Sequence, residues 1–414
     1  MASKFQAPRG TFDVLPEQAR GRARVQRIAS EVFARAGYES IATPAFEDTE
    51  LFVRGVGRST DIVVKEMFTF EDKGGRSLTL RPEGTAPICR AYLEHGMHKL
   101  AQPVKLFYLG PFFRHERPQA GRYRQFHQLG LECIGTDSPL ADAETIMLLS
   151  DLLGELAVPG VELRLGSLGS LDARQGYLEE LKAHLRAHGS ELSEDMRERI
   201  DANPLRAFDS DHPGTQAVMA SAPTIVERLQ GEDAEHFAEV RALLDAAGVA
   251  YEIDPTLVRG LDYYTRTIFS FVCDELGAQS EVGGGGRYDG LIEQLGGPST
   301  PAVGFAAGIE RILLALGEEE AAPGRDAFVA VADPGQGRRA MALVTELRRA
   351  GLAAETDLAG RGLKGQLKHA DRIGARRVVI LEADGAALLR DMATGEQRGI
   401  EIGKLVDEMT GGEA

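Results

Sequence analysis

The stretch Leu257-Val-Arg259-Gly-Leu-Asp262-Tyr263-Tyr264-Thr-Arg266 breaks the alternation of a plain strand, setting charges and two phenols between apolar positions. An arginine is permanently charged and offers a planar fork of donors suited to phosphate or carboxylate, while a tyrosine supplies an apolar wall with a polar tip. Arg259, Asp262, Tyr263 and Tyr264 therefore read as a site rather than a surface. The alternative is a polar turn leading into a strand at Thr267–Cys273.

Around this stretch lie 414 residues with a net charge of −16, 43% of them hydrophobic and 27% charged, the composition of an ordinary globular protein. Such a length suits two or three domains, because single cores stop growing near about 250–300 residues. No apolar run approaches the ~20 residues needed to cross a bilayer, and Met1–Gly10 holds no apolar signal-peptide core; the chain is expected in the cytoplasm, with no membrane partner. Cys89, Cys133 and Cys273 lie far apart without metal-ligand spacing, so no metal site from protein clusters and no disulfide framework is expected. The acidity argues against wholesale coating of nucleic acid. Two local basic patches remain, Arg114 to Arg124 and the set Arg361, Lys364, Lys368 and Arg372.

Apolar residues at Val25, Ile28, Ala29, Val32 and Phe33 predict a helix over residues 18–36, stopped by Gly37. An extended segment is expected at 41–46, and strands at 67–70 and 77–80 flank the turn Asp72-Lys73-Gly74-Gly75. A helix follows at 85–94. Strands at 104–109 and 126–134 enclose an arginine-rich loop. Residues 172–248 change character, becoming charged and helical with a break at Asn203-Pro204, and read as an inserted module. Strands resume at 250–253 and 269–273, then Glu281-Val282 before the glycine run 283–286, and a helix at 308–316 closes this half. The acidic, Gly- and Pro-containing segment 319–325 looks like a linker, after which strands at 328–331 and 378–381 and a helix at 336–350 suggest a small α/β domain. The implied domains are a core in two parts, 1–171 and 249–318, the insertion 172–248, and a terminal domain 326–414.

Between Gly110 and Gln128 the chain carries four arginines, Arg114, Arg117, Arg122 and Arg124, and three glutamines, Gln119, Gln125 and Gln128. Cations so close repel one another unless an anion joins them, and Phe126 stands ready to stack on a base; Glu116 neutralises part of the charge. The run Gly283-Gly-Gly-Gly-Arg287-Tyr288-Asp289 lacks the Gly-Lys-Ser/Thr ending of a P-loop and the spacing of a dinucleotide fingerprint. Its glycines suit either close approach of a ligand to backbone or a flexible loop. Arg81-Pro-Glu83-Gly-Thr85 places a carboxylate where a helix begins, a capping arrangement when taken alone.

Together these segments resemble the histidyl-tRNA synthetase family of class II aminoacyl-tRNA synthetases over nearly the whole chain. Gly37 to Glu47 is similar to its motif 1, Phe113 to Phe126 to motif 2, and Gly304 to Arg311 to motif 3. Leu257–Tyr264 and Gly283–Tyr288 look like its two histidine signatures, the most specific part of the match. The resemblance implies an α+β fold: an antiparallel-sheet catalytic core with a helical insertion, plus a C-terminal α/β anticodon-binding domain. It implies a homodimer that activates L-histidine with ATP and Mg²⁺ and transfers it to tRNA(His). Glu83, Thr85 and Gln128 would hold the amino-acid frame, and Glu132 with Tyr263 and Tyr264 the imidazole. Arg114 would clamp the α-phosphate with Arg259 opposite it, Arg122 and Arg311 would meet the outer phosphates, and Phe126 would stack on adenine. Arg117 and Gln119 would meet the tRNA acceptor end, and Arg361, Lys364 and Lys368 the anticodon arm. A catalytically silent relative, the regulatory subunit of ATP phosphoribosyltransferase, is the nearest alternative; it looks like the same core without the terminal domain.

Overall fold

The computed structural model describes residues 5–58, 60–317, 324–382 and 386–411. The chain divides into two compact units, residues 1–320 and 321–414. Of the segment expected as a linker, 319–325, residues 319–323 lie outside the described residues.

The first unit holds β1 (Glu39–Ser40), β2 (Phe46–Asp48), β3 (Phe68–Glu71), β4 (Ser77–Leu80), β5 (Val104–Phe113), β6 (Gln125–Ile134), β7 (Val161–Ser167), β8 (Glu252–Ile253), β9 (Thr265–Cys273), β10 (Glu281–Arg287) and β11 (Ala302–Gly308). Eight of them form one sheet in the order β1-β5-β6-β11-β10-β9-β7-β8, antiparallel except at its two edges, where β1 runs parallel to β5 and β8 to β7. The hairpin β3–β4 and β2 make a small second sheet.

Alternation along β6 divides the central sheet into two faces. Leu129, Leu131 and Cys133 enter a core built with the helices Pro16–Arg35, Pro139–Glu155 and Ile309–Leu316. Gln128, Gly130 and Glu132, one residue out of phase, point to the opposite face. The first of those helices buries the five residues its apolar spacing predicts, each contributing roughly 1.5–3 kcal/mol if fully apolar and large. It begins earlier than expected because Pro16 takes an initial helical position and the Gln18 side chain accepts from the Leu15 N–H at 3.3 Å.

The structure sharpens or corrects four of the sequence readings. The glycine run is neither a loop nor flexible: Gly283–Gly286 lies inside β10, buried between β9 and β11. A period-2 reading needs side chains, and a run without them shows none. Of the strand expected at 250–253 only Glu252–Ile253 pairs, and of the segment 41–46 only Phe46 joins a strand. The span 172–248 is helical, with helices Leu171–Ala187, Glu194–Arg199, Pro213–Met219 and Gly231–Ala246, yet it is not a separate compact unit. Phe237, Val240 and Leu244 of its last helix pack in the same core as Ile146, Leu149 and Leu153. The charge pattern hid that stripe.

The second unit is a sheet ordered β13-β12-β14-β15-β16, from β12 (Ala327–Val331), β13 (Ala354–Thr356), β14 (Arg377–Leu381), β15 (Ala387–Asp391) and β16 (Gln397–Gly399). Ala327 and Val329 face the helices Gly337–Arg349 and Ile402–Thr410, whereas Phe328 and Ala330 face the helix Leu363–Arg372. Covering on both faces explains why β12 and β14 read as continuous apolar runs. The basic stripe is shorter than expected: Lys364, Lys368 and Arg372 lie on the helix Leu363–Arg372, but Arg361 precedes its cap at Gly362 and its guanidinium donates to Asp357 at 2.5 Å. Gly362 in extended geometry starts the helix there.

Candidate active site

A cavity of about 870 Å³ opens on the face of the central sheet toward which Gln128 points. Its walls come from distant parts of the chain, including Glu83 and Thr85, Arg114 and Arg122, Phe126, Arg259, Tyr263 and Tyr264, Tyr288 and Arg311. The sequence-derived residues of the first unit thus converge on one space, with four exceptions. Glu132 lies just behind the wall. Arg117 and Gln119 sit exposed in the loop between β5 and β6 and do not line the cavity. Asp262 turns away and accepts from Asn203 Nδ2 at 3.2 Å.

At one end the groups are acidic and phenolic. Both oxygens of Glu83 accept main-chain N–H groups at the start of the helix Thr85–Glu94, from Thr85 at 2.7 Å and Ala86 at 3.0 Å, so the cap is real. The same carboxyl also lines the cavity, and burial pushes its pKa up. Glu132 is 0% exposed and accepts from Thr85 Oγ1 at 2.8 Å and the Tyr288 hydroxyl at 2.5 Å. Burial pushes its pKa up to about 8 against the pull of those two hydrogen bonds. Gly304 leaves the room for this carboxylate, since a Cβ there would collide with Glu132 Oε2. The rings of Tyr263 and Tyr264 lie 4.7 Å apart and that of Tyr288 lies 5.7 Å from Tyr263. Gln128 Oε1 and the Tyr108 hydroxyl are buried beside them without a hydrogen-bond partner among the described residues. Unpaired buried polar atoms cost free energy, so both ask for a ligand group.

The other end is cationic. Arg114 donates its Nε to the Pro82 carbonyl at 2.9 Å and lies over the Phe126 ring, 5.5 Å from its centroid. Glu116 pairs with Arg122 at 2.9 Å and with Arg114 at 3.7 Å, the partial neutralisation expected of it. Arg311 donates to the main-chain carbonyls of Gly121 at 3.2 Å and Glu281 at 2.6 Å. Arg259 donates to Glu281 Oε1 at 2.8 Å beneath Tyr264. Burial disfavours the Arg259 charge, but Glu281 and the phenols outweigh it and hold its pKa above the usual value.

Several wall residues carried no individual assignment in the sequence. Tyr288 stood within a signature without a role, and its place is fixed by its neighbour: the wholly buried Arg287 donates to Asp142, to Asp289 at 3.0 Å and to the Thr136 carbonyl at 2.9 Å. Glu281 is one acidic residue ahead of glycines, with no pattern around it. Ser193, Met196, Arg199, Arg206 and Asp209 of the helical span close one side, and Arg199 and Arg206 both donate to Asp61.

Two families' profiles match the chain: one described as histidyl-tRNA synthetase over residues 10–312, and one described as anticodon binding domain over residues 326–411. The chain is similar to the histidine–tRNA ligase of Anaeromyxobacter dehalogenans, 48% identical over 415 residues that cover 99% of this chain and 100% of that protein. It is also similar to that of Desulforamulus reducens, 47% identical over 407 residues, 96% and 97% of the two chains. Among solved structures, apo histidyl-tRNA synthetase from S. aureus aligns with a TM-score of 0.83 and 37% identity, covering 98% of this chain and 99% of that one.

Proposed function

The chain belongs to the histidyl-tRNA synthetase family and ligates histidine to tRNA at the expense of ATP, and from that premise we propose which side chains of the cavity perform each part of the reaction. Membership sets aside the catalytically silent alternative. The observation that carries the residue-level reading is the polarity of the one cavity, acidic and phenolic at one end and cationic at the other.

Histidine enters the acidic end. Its α-ammonium meets Glu83, Thr85 and Gln128, whose Oε1 otherwise has no partner. Its imidazole lies between Tyr264 and the wall in front of Glu132, beside Tyr263, and reaches the carboxyl by replacing the Thr85 or Tyr288 hydroxyl as its hydrogen-bond partner. The α-carboxylate then faces the arginines. Its attack on the α-phosphorus of ATP forms one P–O bond as the bond to the bridging oxygen of diphosphate breaks, building charge on the equatorial oxygens. Arg114 and Arg259 are fixed donors that stabilise this charge without reorganising, and Arg122 and Arg311 hold the outer phosphates while Phe126 stacks on adenine. Mg²⁺ comes with the ATP phosphates in this reading; among the described residues no group of three or more His, Cys, Asp or Glu could hold a metal ion.

In the second step a terminal ribose hydroxyl of tRNA(His) attacks the activated carbonyl and AMP leaves. Arg117 and Gln119 face the acceptor end from their exposed loop, and Lys364 and Lys368, with Arg361 in a lesser part, face the anticodon arm. We also propose a homodimer working in the cytoplasm; among the described residues no helix is long and apolar enough to cross a membrane. The test is histidine-dependent exchange of diphosphate into ATP beside the other amino acids. Exchange with histidine alone is expected, and comparable exchange with another amino acid would overturn the reading of the acidic end.

A further inference from the structure

We propose that Glu281 is a positioning residue for Arg259, held in place by a bulge in β10 and by the missing side chain of Gly284. The proposal rests on Arg259 being the cation at the reacting phosphate. Arg259 lies in the irregular segment before β9, where no helix or strand fixes it. Among the described contacts, Glu281 gives its only hydrogen-bond partner, at 2.8 Å; Nε has none, and the Tyr264 ring lies 5.7 Å away. The same residue binds a second cation, since the Glu281 main-chain carbonyl accepts from Arg311 at 2.6 Å. One residue thus registers two guanidinium groups far apart in sequence.

The strand is shaped to bring that carboxylate into the cavity. Glu281 pairs with Val272 and Gly283 with Phe271, so β10 advances by two residues while β9 advances by one. In a regular strand residues 281 and 284 would point to opposite faces. Here a Cβ on Gly284 would stand 2.9 Å from Arg259 Nη1 and 3.0 Å from Glu281 Oε1, so the extra residue has turned Glu281 onto the face of Gly284. A larger residue at 284 would press on the ion pair and, at 2.6 Å, on the Phe269 carbonyl of the neighbouring strand. Burial raises the Glu281 carboxyl, but Arg259 outweighs it and the pKa falls below the usual range, which keeps the anion in place among Arg259, Arg311 and Arg114.

The carboxylate restrains Arg259 on Nη1 and leaves its other N–H groups without a protein partner among the described residues, free to donate to a phosphate oxygen. A donor already aimed needs no reorganisation in the transition state, so its restraint shows in kcat rather than in histidine affinity. The experiment is a double-mutant cycle in the full-length chain with E281Q, R259A and the pair, reading single-turnover adenylate formation per active site, the KM for histidine and ATP, and melting. E281Q keeps the shape and is expected to melt normally, hold its histidine KM and lose about ten- to hundredfold in rate, as when a charge-assisted contact becomes neutral. Added to R259A, it should cost nothing further. E281D keeps the charge and should recover part of the rate; if E281Q does not fold, E281D takes its place in the cycle. Losses that multiply in the double variant, an E281D no faster than E281Q, or an unchanged kcat with a raised ATP KM would each overturn the proposal. R259A at the parental rate would instead overturn the role of Arg259 itself, and this proposal with it.

Discussion

Replacing Glu132 by Gln should remove one source of pH dependence from the stability of the first unit. The carboxyl is 0% exposed and, among the described residues, its hydrogen-bond partners are two neutral hydroxyls. Burial therefore dominates, and the pKa rises from the usual 4.5 to about 8. At about 1.36 kcal/mol per unit, that shift amounts to about 5 kcal/mol. The sign follows from the protons. Between 4.5 and about 8 the folded chain keeps a proton that the unfolded chain has released, so stability falls as pH rises through this window and levels off above it. Glutamine keeps the shape and has no proton to lose. The variant should match the parent near pH 5 and exceed it near pH 9 by up to the full amount. Melting midpoints of the two ligand-free proteins, recorded side by side across that range, measure the difference. Parallel curves would mean that Glu132 titrates in the ordinary carboxylate range, and the argument from burial would fail. The same proton should shape histidine binding, because a neutral carboxyl and a neutral imidazole share one hydrogen between them. Affinity should peak between the imidazole value of about 6.5 and the Glu132 value of about 8, and the variant should lose the upper limb.

Arg259→Ala should melt normally and lose ~10²–10³ in histidine-dependent exchange, about 2.7–4 kcal/mol, the usual cost of one donor to developing charge; exchange at the parental rate would remove the cation role. Arg117→Ala with Gln119→Ala should lower tRNA charging more than activation, since both side chains sit outside the cavity, and equal losses in the two steps would refute the assignment. Lys364→Ala with Lys368→Ala should weaken tRNA binding and flatten its salt dependence by ~0.7–0.9 log units per lost phosphate contact, an unchanged slope counting against the stripe. Arg361→Ala should do less, because Asp357 already holds that guanidinium.

The elements most legible in the sequence were those whose side chains carry the period of the backbone. The helix Pro16–Arg35 buries the five apolar positions that its spacing picks out, and β5 and β6 fell where apolar runs bounded the arginine-rich loop. The convergence of Arg114, Arg259 and Arg311 was legible only through resemblance, because no local rule brings together the residue after β5, an irregular segment and a helix start. The placement of Glu132 behind Thr85 and Tyr288 was not legible at all. Parity along β6 puts it on the cavity face with Gln128, but depth depends on what packs in front, and that is set by residues 47 and 156 positions away.

What the sequence concealed most was the work of absent side chains. Gly304 on β11 faces Glu132, and Gly284 on β10 faces the Arg259–Glu281 pair, each leaving the volume that a charged group fills. Both carboxyls lie on the cavity face of the sheet, Glu132 wholly buried and Glu281 partly exposed, and a carboxyl taken from water stays ionised only beside a partner that outweighs its lost hydration. Glu281 meets that condition with an arginine and stays ionised; Glu132 has two hydroxyls instead and holds its proton to a higher pH. The two carboxyls are thereby driven in opposite directions by environments two strands apart, one set against an arginine and the other between two hydroxyls. A glycine-to-alanine change at either position leaves every ionisable group in the chain, so a loss of activity in Gly284→Ala or Gly304→Ala protein that still folds would trace to geometry, the added carbon meeting both the charged group and a main-chain carbonyl of the next strand.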